Sequence, residues 1–388
     1  MFKMNSILPK ALMLYVAVSL VISCQPKAGK NAEHTVPKYL NDYAELYKTN
    51  PRQANLEWFN EAKFGLFMHY GVSSLLEDGE WVQLRHDPPI PVADYDTLRN
   101  VFTAENFDAD FITDLALEAG MKYINITSRH HDSFSLFKTA QSDFNSVDAP
   151  NCGRDLVADL ARACDEKGLG LFLYYSYGAD WKHPYFYPRE KGWAAARPNY
   201  AEPQPEYKFE KDEDFQHYID FVHAQLRELL TQYPNIAGIW FDPIMGYYSR
   251  PDLFPIEETY ALVRSMNPHA LISFKQGATG DEDFSAPERS GAAKVGQKHE
   301  VAKRVYELNK DKPKEICNTM QPHAWGYKKA DDGQHKNADE VLDILHQMDS
   351  IGANLLMNVG PLPDGSFPEE DIITLKEVGR RLKENPIW

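Results

Sequence analysis

Short apolar runs alternate with amphipathic helical patterns along most of the chain. We predict strands from seven short runs rich in β-branched and aromatic residues, at residues 64–69, 122–127, 169–175, 236–241, 270–274, 314–319 and 353–359. Helical periodicity is found between these runs, at residues 108–120, 154–167, 213–232, 256–266, 339–351 and 369–384. In the first of these helices Asp108 is the predicted cap, and Phe111, Ile112, Leu115 and Ala119 are predicted to share one apolar face.

This alternation predicts the fold class. Parallel strands need a crossover connection, which is usually a helix, so strand–helix repeats indicate a parallel sheet. We therefore predict an α/β fold, a single (β/α)8-like TIM barrel over residues 51–388, because continuity at this length favours a barrel over an open sheet. No Gly-x-Gly-x-x-Gly follows the first strand, which weighs against a dinucleotide-binding fold.

Residues 177–212 interrupt the pattern after the third predicted strand. The stretch is rich in Pro, Tyr, Trp and His and is too long for a routine connection between a strand and a helix. We expect it to shape the region around any site at that end of the barrel.

The N-terminus has the features of a targeting segment. A basic start is followed by an apolar run at residues 11–22, which is too short to span a bilayer and suits a signal-peptide core. The run leads into Val-Ile-Ser-Cys, which resembles a bacterial lipoprotein cleavage box ending at Cys24. We predict a lipoprotein signal peptide at 1–23 and a tether with the N-terminal segment at 24–50. The alternative is a plain signal peptide with an incidental cysteine.

Composition narrows the possible partners. The chain has 388 residues, with 41 Lys and Arg against 57 Asp and Glu, and a net charge of −16. This acidity argues against nucleic acid or an anionic membrane surface, which require basic patches. We expect contact with a membrane only through a lipid on Cys24. Beyond that residue, Cys152, Cys164 and Cys317 are too few and too scattered for a disulfide framework or a structural zinc site.

Polar side chains gather where the predicted strands end. In a barrel of this class the chemistry lies at the carboxyl ends of the strands. The polar residues at these ends are His69, residues 128–132, residues 174–176, Asp242, and Asp281, Glu282, Asp283 and Glu288 after the fifth strand. Asp242 directly follows the apolar run at 239–241, so we expect its carboxylate to project into a cleft.

Two chemistries fit this collection of His, Asp and Glu. One is metal-assisted hydrolysis with histidine ligands, and the other is glycoside hydrolysis by two carboxylates. The first strand ends in His-Tyr-Gly at 69–71 and offers no His-x-His pair. His130 and His131 are adjacent, and neighbouring strand residues face opposite ways. This arrangement favours recognition of hydroxyl groups over a shared metal ion.

Eight segments, taken in order, resemble glycoside hydrolase family 29, the α-L-fucosidases: residues 58–71, 79–81, 128–134, 154–157, 168–176, 239–242, 354–360 and 364–365. The resemblance implies a retaining exo-α-L-fucosidase that releases terminal α-L-fucose from glycans or glycoconjugates. It implies no metal and no cofactor. Together with the N-terminal segment, it leads us to expect a lipid-anchored protein in the periplasm or at the outer-membrane surface of a Gram-negative bacterium.

The resemblance also implies roles for individual residues. Asp242 corresponds to the nucleophile, and Glu288 is our candidate for the acid/base, with Glu282 as the second choice. Asn358 is expected to support the end of the last strand, and Trp325 either lines the site or packs in the core. The implied substrate-binding residues are His69, Glu80, Trp81, His130, His131 and Tyr175.

The chain departs from the family pattern at several points. Pro243 stands where Gly commonly follows the nucleophile, and the stretch at 177–212 leaves the leaving group open. The last predicted helix ends close to Trp388, so we expect no C-terminal β-sandwich. The alternatives are an α-L-galactosidase-like specificity, a non-catalytic glycan-binding lipoprotein on the same fold, and a metal-dependent hydrolase, which the missing His-x-His disfavours.

Overall fold

Seven parallel strands form one curled sheet in the computed structural model, which describes residues 35–289 and 300–388. The strands are β1 Phe64–Met68, β2 Tyr123–Arg129, β3 Gly170–Ser176, β4 Gly238–Asp242, β5 Leu271–Phe274, β6 Lys314–Thr319 and β7 Ala353–Val359. Their spatial order is β5-β4-β3-β2-β1-β7-β6. All seven predicted strands are confirmed, and the half-barrel that they form confirms the (β/α)8-like fold class.

An irregular segment, residues 283–289, fills the space between the two edge strands. On one side the backbone N–H groups of Asp283 and Ala286 donate to the carbonyl oxygens of Ile272 and Lys275, in and just after β5, at 2.8 and 2.7 Å. On the other side the segment forms isolated parallel bridges to β6. Residues 283–289 therefore stand in the place of an eighth strand.

Helices follow the strands and cover the outer face of the sheet. The α-helices are α1 Ala44–Thr49, α2 Pro51–Ala62, α3 Val82–Arg85, α4 Val92–Asp96, α5 Ala109–Glu118, α6 Leu156–Lys167, α7 Gln216–Gln232, α8 Ile244–Ser249, α9 Ile256–Met266, α10 Glu300–Asn309, α11 Ala338–Ser350 and α12 Glu369–Glu384. Short 3₁₀ helices span Lys38–Tyr43, Val72–Leu76, Thr97–Asn100, Arg189–Lys191, Asp212–Phe215, Pro251–Leu253 and Lys329–Asp331.

All six predicted helices are present, with one correction to an apolar face. In α5, Asp108 caps the helix as expected, accepting hydrogen bonds from the N–H groups of Asp110 and Phe111. Phe111 itself is 39% exposed, and Ala116 is buried on that face instead. The reason is the helical angle, since residues 112, 115, 116 and 119 face the sheet and position 111 lies at the margin.

Most strand side chains alternate between the inside of the barrel and the helical layer. On β3, Phe172 and Tyr174 belong to the inner group, whereas Leu171, Leu173 and Tyr175 pack with the helices. The other inner residues are Phe67, Tyr123, Trp240, Leu271, Cys317 and Leu356. This period of two follows from the pleat of a strand, and it sets which side chains reach the carboxyl end of the barrel from within.

Helix α2 closes the opposite, amino-terminal end of the barrel. Trp58 and Phe59 pack edge-on or tilted against Tyr123, and Phe59 also contacts Phe172. Gly170, at the start of β3, allows this approach, because a Cβ at that position would lie 2.2 Å from the ring of Trp58. The barrel is therefore sealed at its base and open only at the strand ends.

The predictions for the N-terminal targeting segment concern residues outside those that the structure describes. Cys24 and the signal peptide at 1–23 stay predictions, as do the lipid anchor, the tether and the cellular location that depend on them. Within residues 35–289 and 300–388, no helix combines the length and the apolar character needed to cross a membrane.

A carboxyl group, Glu315, is buried in the middle of the barrel. It accepts hydrogen bonds from the hydroxyl of Tyr123 at 2.7 Å and from the indole N–H of Trp240 at 2.9 Å. Burial raises the pKa of Glu315 to about 7, despite the opposing effect of these two donors. Folding therefore favours the protonated form of this side chain.

We predict that Glu315→Gln reduces the fall in the free energy of unfolding that occurs when the pH is raised from 5 to 8. A carboxyl whose pKa is raised by folding stabilises the native state below its unfolded pKa, and this contribution disappears as pH rises through the folded pKa. Urea unfolding at both pH values should show that the wild type loses up to about 3 kcal/mol more than the variant. The exposed Glu213→Gln is the control, and a variant that loses as much as the wild type would contradict the assignment.

Candidate active site

A cavity of about 360 Å³ opens at the carboxyl ends of the strands. This volume lies at the lower end of the range for small-molecule sites. Eight of the predicted site residues line it: His69, Glu80, Trp81, His130, His131, Asp242, Glu288 and Trp325. The structure thus brings together side chains from β1, β2, β4 and three loops.

Asp242 projects into the cavity from the last position of β4. Its Oδ2 accepts a hydrogen bond from the hydroxyl of Tyr174 at 2.8 Å, and Oδ1 lies 3.2 Å from Nζ of Lys275. Nε2 of His131 lies 3.7 Å from Oδ2. Burial raises the pKa of Asp242, and the ammonium of Lys275 opposes that effect. The carboxylate is therefore held by one hydroxyl donor and one cation.

Glu288 faces Asp242 from the end of residues 283–289. Its Oε1 accepts a hydrogen bond from Lys275 at 2.5 Å, and 46% of its side chain is exposed on the cavity side. The ammonium of Lys275 lowers the pKa of Glu288 below its ordinary value. The inward direction of this side chain, which the sequence could not establish, results from pairing of the segment with β6.

Glu282, the second candidate for the acid/base, lies elsewhere. Its Oε1 accepts hydrogen bonds from the hydroxyl of Tyr260 and the N–H groups of Ala278 and Thr279, and Oε2 accepts from the N–H of Gly280. The side chain is buried and does not line the cavity. Its carboxylate folds the loop after β5, which leaves Glu288 as the acid that reaches Asp242.

The hydrogen bonds of Asn358 determine the tautomer of His69. The amide nitrogen of Asn358 donates to the carbonyl oxygen of Trp325 at 2.7 Å, so its Oδ1 is free to accept from Nδ1 of His69, also at 2.7 Å. Burial lowers the pKa of His69 to about 3. The imidazole is therefore neutral, with its proton on Nδ1 and an acceptor at Nε2. The expected supporting role of Asn358 fits these contacts.

A second hydrogen-bond chain determines the tautomer of His131. The hydroxyl of Ser176 donates to the carbonyl oxygen of Ala179 at 2.7 Å, so it accepts from Nδ1 of His131 at 2.7 Å. Burial lowers the pKa of His131 well below its ordinary value. His131 is thus neutral as well, and its Nε2 is an acceptor near Asp242.

His130 and His131 both face the cavity, contrary to the expectation from strand alternation. Their ring centroids lie 3.9 Å apart, and His130 stacks on Tyr174 at 5.5 Å. Strand β2 ends at Arg129, and its pairing with β3 is irregular between Thr127 and Arg129, so the period of two no longer applies at 130–131.

Glu80 holds the loop that carries Trp325. Its Oε2 accepts hydrogen bonds from the backbone N–H groups of Trp325 and Gly326, at 2.9 and 2.8 Å. The ring of Trp325 then lies 5.4 Å from that of His69. Burial raises the pKa of Glu80, and the two N–H donors oppose this effect. Trp325 therefore lines the cavity, which answers the question that its sequence context left open.

Aromatic residues from the stretch at 177–212 reach the cavity, as expected. Trp193 lines it, and Trp181 packs behind His131 with its ring centroid at 5.3 Å. Trp81 contacts both tryptophans, at 5.4 Å from Trp181 and 6.0 Å from Trp193. The stretch therefore forms part of the wall beside Trp81.

Tyr175 is the one predicted substrate-binding residue that the structure places away from the cavity. Its hydroxyl donates to Gln225 of α7 at 2.7 Å, and its ring packs with the helical layer. Tyr174, one position earlier, faces inward and bonds to Asp242. Strand alternation explains the difference, because a shift of one residue exchanges the two faces of a strand.

Lys275 lines the cavity and is absent from the site residues predicted from the sequence. It follows β5 by one residue and has the same parity as the inward-facing Leu271, so alternation could have indicated it.

Among the described residues, a set with metal-ligand spacing is Asp332, His335 and Glu370, with ligand atoms within 4.8 Å of one another. None of these three lines the cavity.

Comparison with known proteins agrees with this geometry. A model of the alpha-L-fucosidase family matches residues 31–386. The chain belongs to the alpha-L-fucosidase family. Rat plasma alpha-L-fucosidase is 28% identical over 366 residues, which cover 88% of this chain and 72% of that protein. Human plasma alpha-L-fucosidase is 29% identical, with 84% and 68% covered.

Solved structures of alpha-L-fucosidases share the fold. Isoenzyme 1 from Paenibacillus thiaminolyticus superposes with a TM-score of 0.69 at 31% identity, covering 87% of this chain and 77% of that one. The enzyme from Lactobacillus casei in complex with its α-L-fucose product has a TM-score of 0.70 at 27% identity, covering 85% and 98%. This chain is therefore a glycoside hydrolase of the alpha-L-fucosidase family.

We predict that Tyr174→Phe and Tyr175→Phe differ sharply in their effect on activity. Loss of the Tyr174 hydroxyl removes a donor to the Asp242 carboxylate, a bond to a charged group worth about 1.5–3 kcal/mol, so the pKa of Asp242 rises further. The acidic limb of the kcat/KM profile for an aryl α-L-fucoside should move up by about one pH unit. Tyr175→Phe is the matched control, and equal profiles for both variants would refute this placement.

Proposed function

We propose that this fucosidase is an exo-acting, retaining enzyme in which Asp242 is the nucleophile and Glu288 the acid/base. The supporting observation is that Lys275 Nζ contacts one carboxylate oxygen of each residue, at 3.2 and 2.5 Å. The distance between those two oxygens is therefore at most the sum of the two contact distances. This upper limit agrees with the separation of about 5–5.5 Å between the two carboxyl groups of retaining glycosidases. Inverting enzymes need a wider gap for a water molecule.

The reaction then proceeds in two displacements. A carboxylate oxygen of Asp242 bonds to the anomeric carbon while the bond to the leaving oxygen breaks, and Glu288 gives its proton to that oxygen. In the second step Glu288 takes a proton from water, the water oxygen bonds to the anomeric carbon, and the ester to Asp242 breaks. Each step inverts the anomeric centre, so the net outcome is retention.

The remaining lining residues suit a single deoxyhexose. Neutral His69 and His131 each have an Nε2 acceptor, which can accept from a sugar hydroxyl. Phe67 lines the cavity below them, and Trp81 and Trp325 supply apolar faces for the C5-methyl side of fucose. A cavity with a sealed base fits a terminal sugar, as does the likeness to a relative solved with α-L-fucose.

An alternative specificity is tested with a second substrate. An α-L-galactoside differs from an α-L-fucoside by one C6 hydroxyl, so a pair of aryl glycosides tests how strictly the cavity selects the methyl group. Membership of the alpha-L-fucosidase family argues against the non-catalytic alternative, and the facing of Asp242 and Glu288 across one cavity supports catalysis by these two carboxylates.

We predict that Asp242→Ala abolishes hydrolysis of an aryl α-L-fucoside and that azide restores turnover. The small anion occupies the space of the lost carboxylate and attacks the same face, so the product should be β-L-fucosyl azide. Rates and product anomer can be followed by absorbance and by proton NMR. Substantial residual hydrolysis without azide would show that Asp242 is not the nucleophile.

We predict that Glu288→Ala discriminates between leaving groups, because only a poor leaving group needs protonation. The loss of kcat/KM should be about 10²–10⁴-fold for a fucosyl disaccharide and much smaller for an activated aryl fucoside. Azide should intercept the glycosyl-enzyme of this variant and give the α-anomer. The exposed Asp281→Asn is the control for removal of a nearby carboxylate, and equal losses on both substrates would exclude Glu288 as the acid.

A further inference from the structure

One buried ammonium is shared by the two carboxylates. Lys275 Nζ lies 3.2 Å from Oδ1 of Asp242 and donates to Oε1 of Glu288 at 2.5 Å. The side chain is only 10% exposed, and Nζ lies 4.6 Å from the ring centroid of Trp240. A buried cation with two anionic partners in the reaction cavity must affect both of them.

The backbone holds Lys275 in this place at some conformational cost. Its φ is +48°, in the left-handed region that residues other than glycine rarely adopt. Its carbonyl oxygen accepts from the N–H of Ala286 at 2.7 Å, which ties it to the segment that carries Glu288. Such conformations persist where surrounding contacts determine them, and they concentrate at functional sites.

We propose that Lys275 is a positioning residue for both chemical steps, keeping Asp242 ionised for attack and converting Glu288 into a base once Asp242 is esterified. The proposal rests on the roles assigned to Asp242 and Glu288 under the proposed function. Lys275 keeps all its protons throughout. Its own charge stays constant, and its effect differs between the two steps because the charges of the two carboxyl groups that face it change.

The charge balance of the cavity changes between the two steps. Before attack, Asp242 is anionic and needs the ammonium, and Glu288 must leave Lys275 and carry a proton for the leaving oxygen. When the ester forms, the anomeric carbon has taken the electron pair of Asp242 and that carboxyl is neutral. Lys275 then has Glu288 as its remaining anionic partner, which favours the carboxylate form that accepts a proton from water.

The electrostatics of the cavity agree with this sharing. Burial alone would lower the pKa of Lys275, but Asp242 and Glu288 outweigh it and raise that pKa. The same ammonium lowers the pKa of Glu288 and opposes the rise at Asp242. The other titratable or charged groups that face these three are His69, His130, His131, Tyr174, Arg289, Glu315 and Cys317.

The first test compares pH profiles of kcat/KM for an aryl α-L-fucoside in Lys275→Met and Lys275→Arg. Without the cation the pKa values of Asp242 and Glu288 both rise, so both limbs of the bell should move to higher pH by about one unit or more. Lys275→Arg should restore the wild-type limbs in part. Lys310→Met, an exposed lysine paired with Glu307, is the matched control.

The second test follows the covalent intermediate. In Lys275→Met, Glu288 still gives its proton to the leaving oxygen, but without the ammonium its carboxylate has a higher pKa and regains a proton from solvent more readily. A smaller fraction of Glu288 can then act as the base, so the second step should slow more than the first. At the optimal pH of each protein, kcat should fall about 100-fold or more, and kcat/KM much less. A burst of released phenol and a fucosyl adduct in the mass of the quenched variant would show the accumulation directly.

A titration that needs no turnover separates failure of this proposal from failure of the proposed function. Carbon-13 NMR of labelled Asp and Glu carboxyls, assigned with Asp242→Asn and Glu288→Gln, should show both groups titrating higher in Lys275→Met. Circular dichroism establishes that the variant is folded. The proposal would be overturned if the two carboxyl groups titrate as in the wild type or if the limbs of the kcat/KM profile do not move. Equal falls in kcat and kcat/KM would also overturn it. Failure of azide rescue in Asp242→Ala, with shifted titrations, would instead overturn the assigned nucleophile.

Discussion

The two-residue period of side chains along parallel strands determines which side chains at the strand ends enter this site. The inner layer of the barrel forms the floor of the cavity. Polar residues of the site lie two positions further along the same strand faces: His69 is two residues after Phe67, Asp242 two after Trp240, and Asn358 two after Leu356. Because the period is so short, a register error of one residue would send Asp242 into the helical layer.

The inner layer is buried, and this burial determines the charge state of the groups above it. Burial lowers the pKa values of the histidines, so they remain neutral and present lone pairs rather than positive charge. Burial also raises the pKa of Asp242, and a nucleophilic carboxylate there needs a compensating cation. Lys275 supplies it, and the Tyr174 hydroxyl adds a donor. Burial thus has two consequences for the proposed reaction. The histidines proposed to bind the sugar are uncharged, whereas the carboxylate proposed to attack it needs a nearby cation.

Closure of the barrel and assembly of the site depend on the same segment. Residues 283–289 connect the edge strands β5 and β6 through backbone hydrogen bonds, and Phe284, Ala286 and Glu288 face inward at alternate positions. The acid that faces Asp242 is therefore held by a barrel element and not by a free loop. Glu282, six residues earlier, forms the turn that lets the chain enter this segment.

The sequence by itself determined the seven strands, the six main helices, the class of fold and most of the site, because apolar periodicity and strand-end polarity are local properties of the chain. Its family resemblance also indicated Asp242 and a fucoside substrate. It could not distinguish Tyr174 from Tyr175, since both lie in one buried run and only the register decides which faces inward. It could not predict that His130 and His131 point the same way, or that Lys275 meets Glu288. Those outcomes depend on contacts between residues distant in the chain. The irregular pairing of β2 with β3 sets the direction of the two histidines, and the pairing of residues 283–289 with β6 sets that of Glu288.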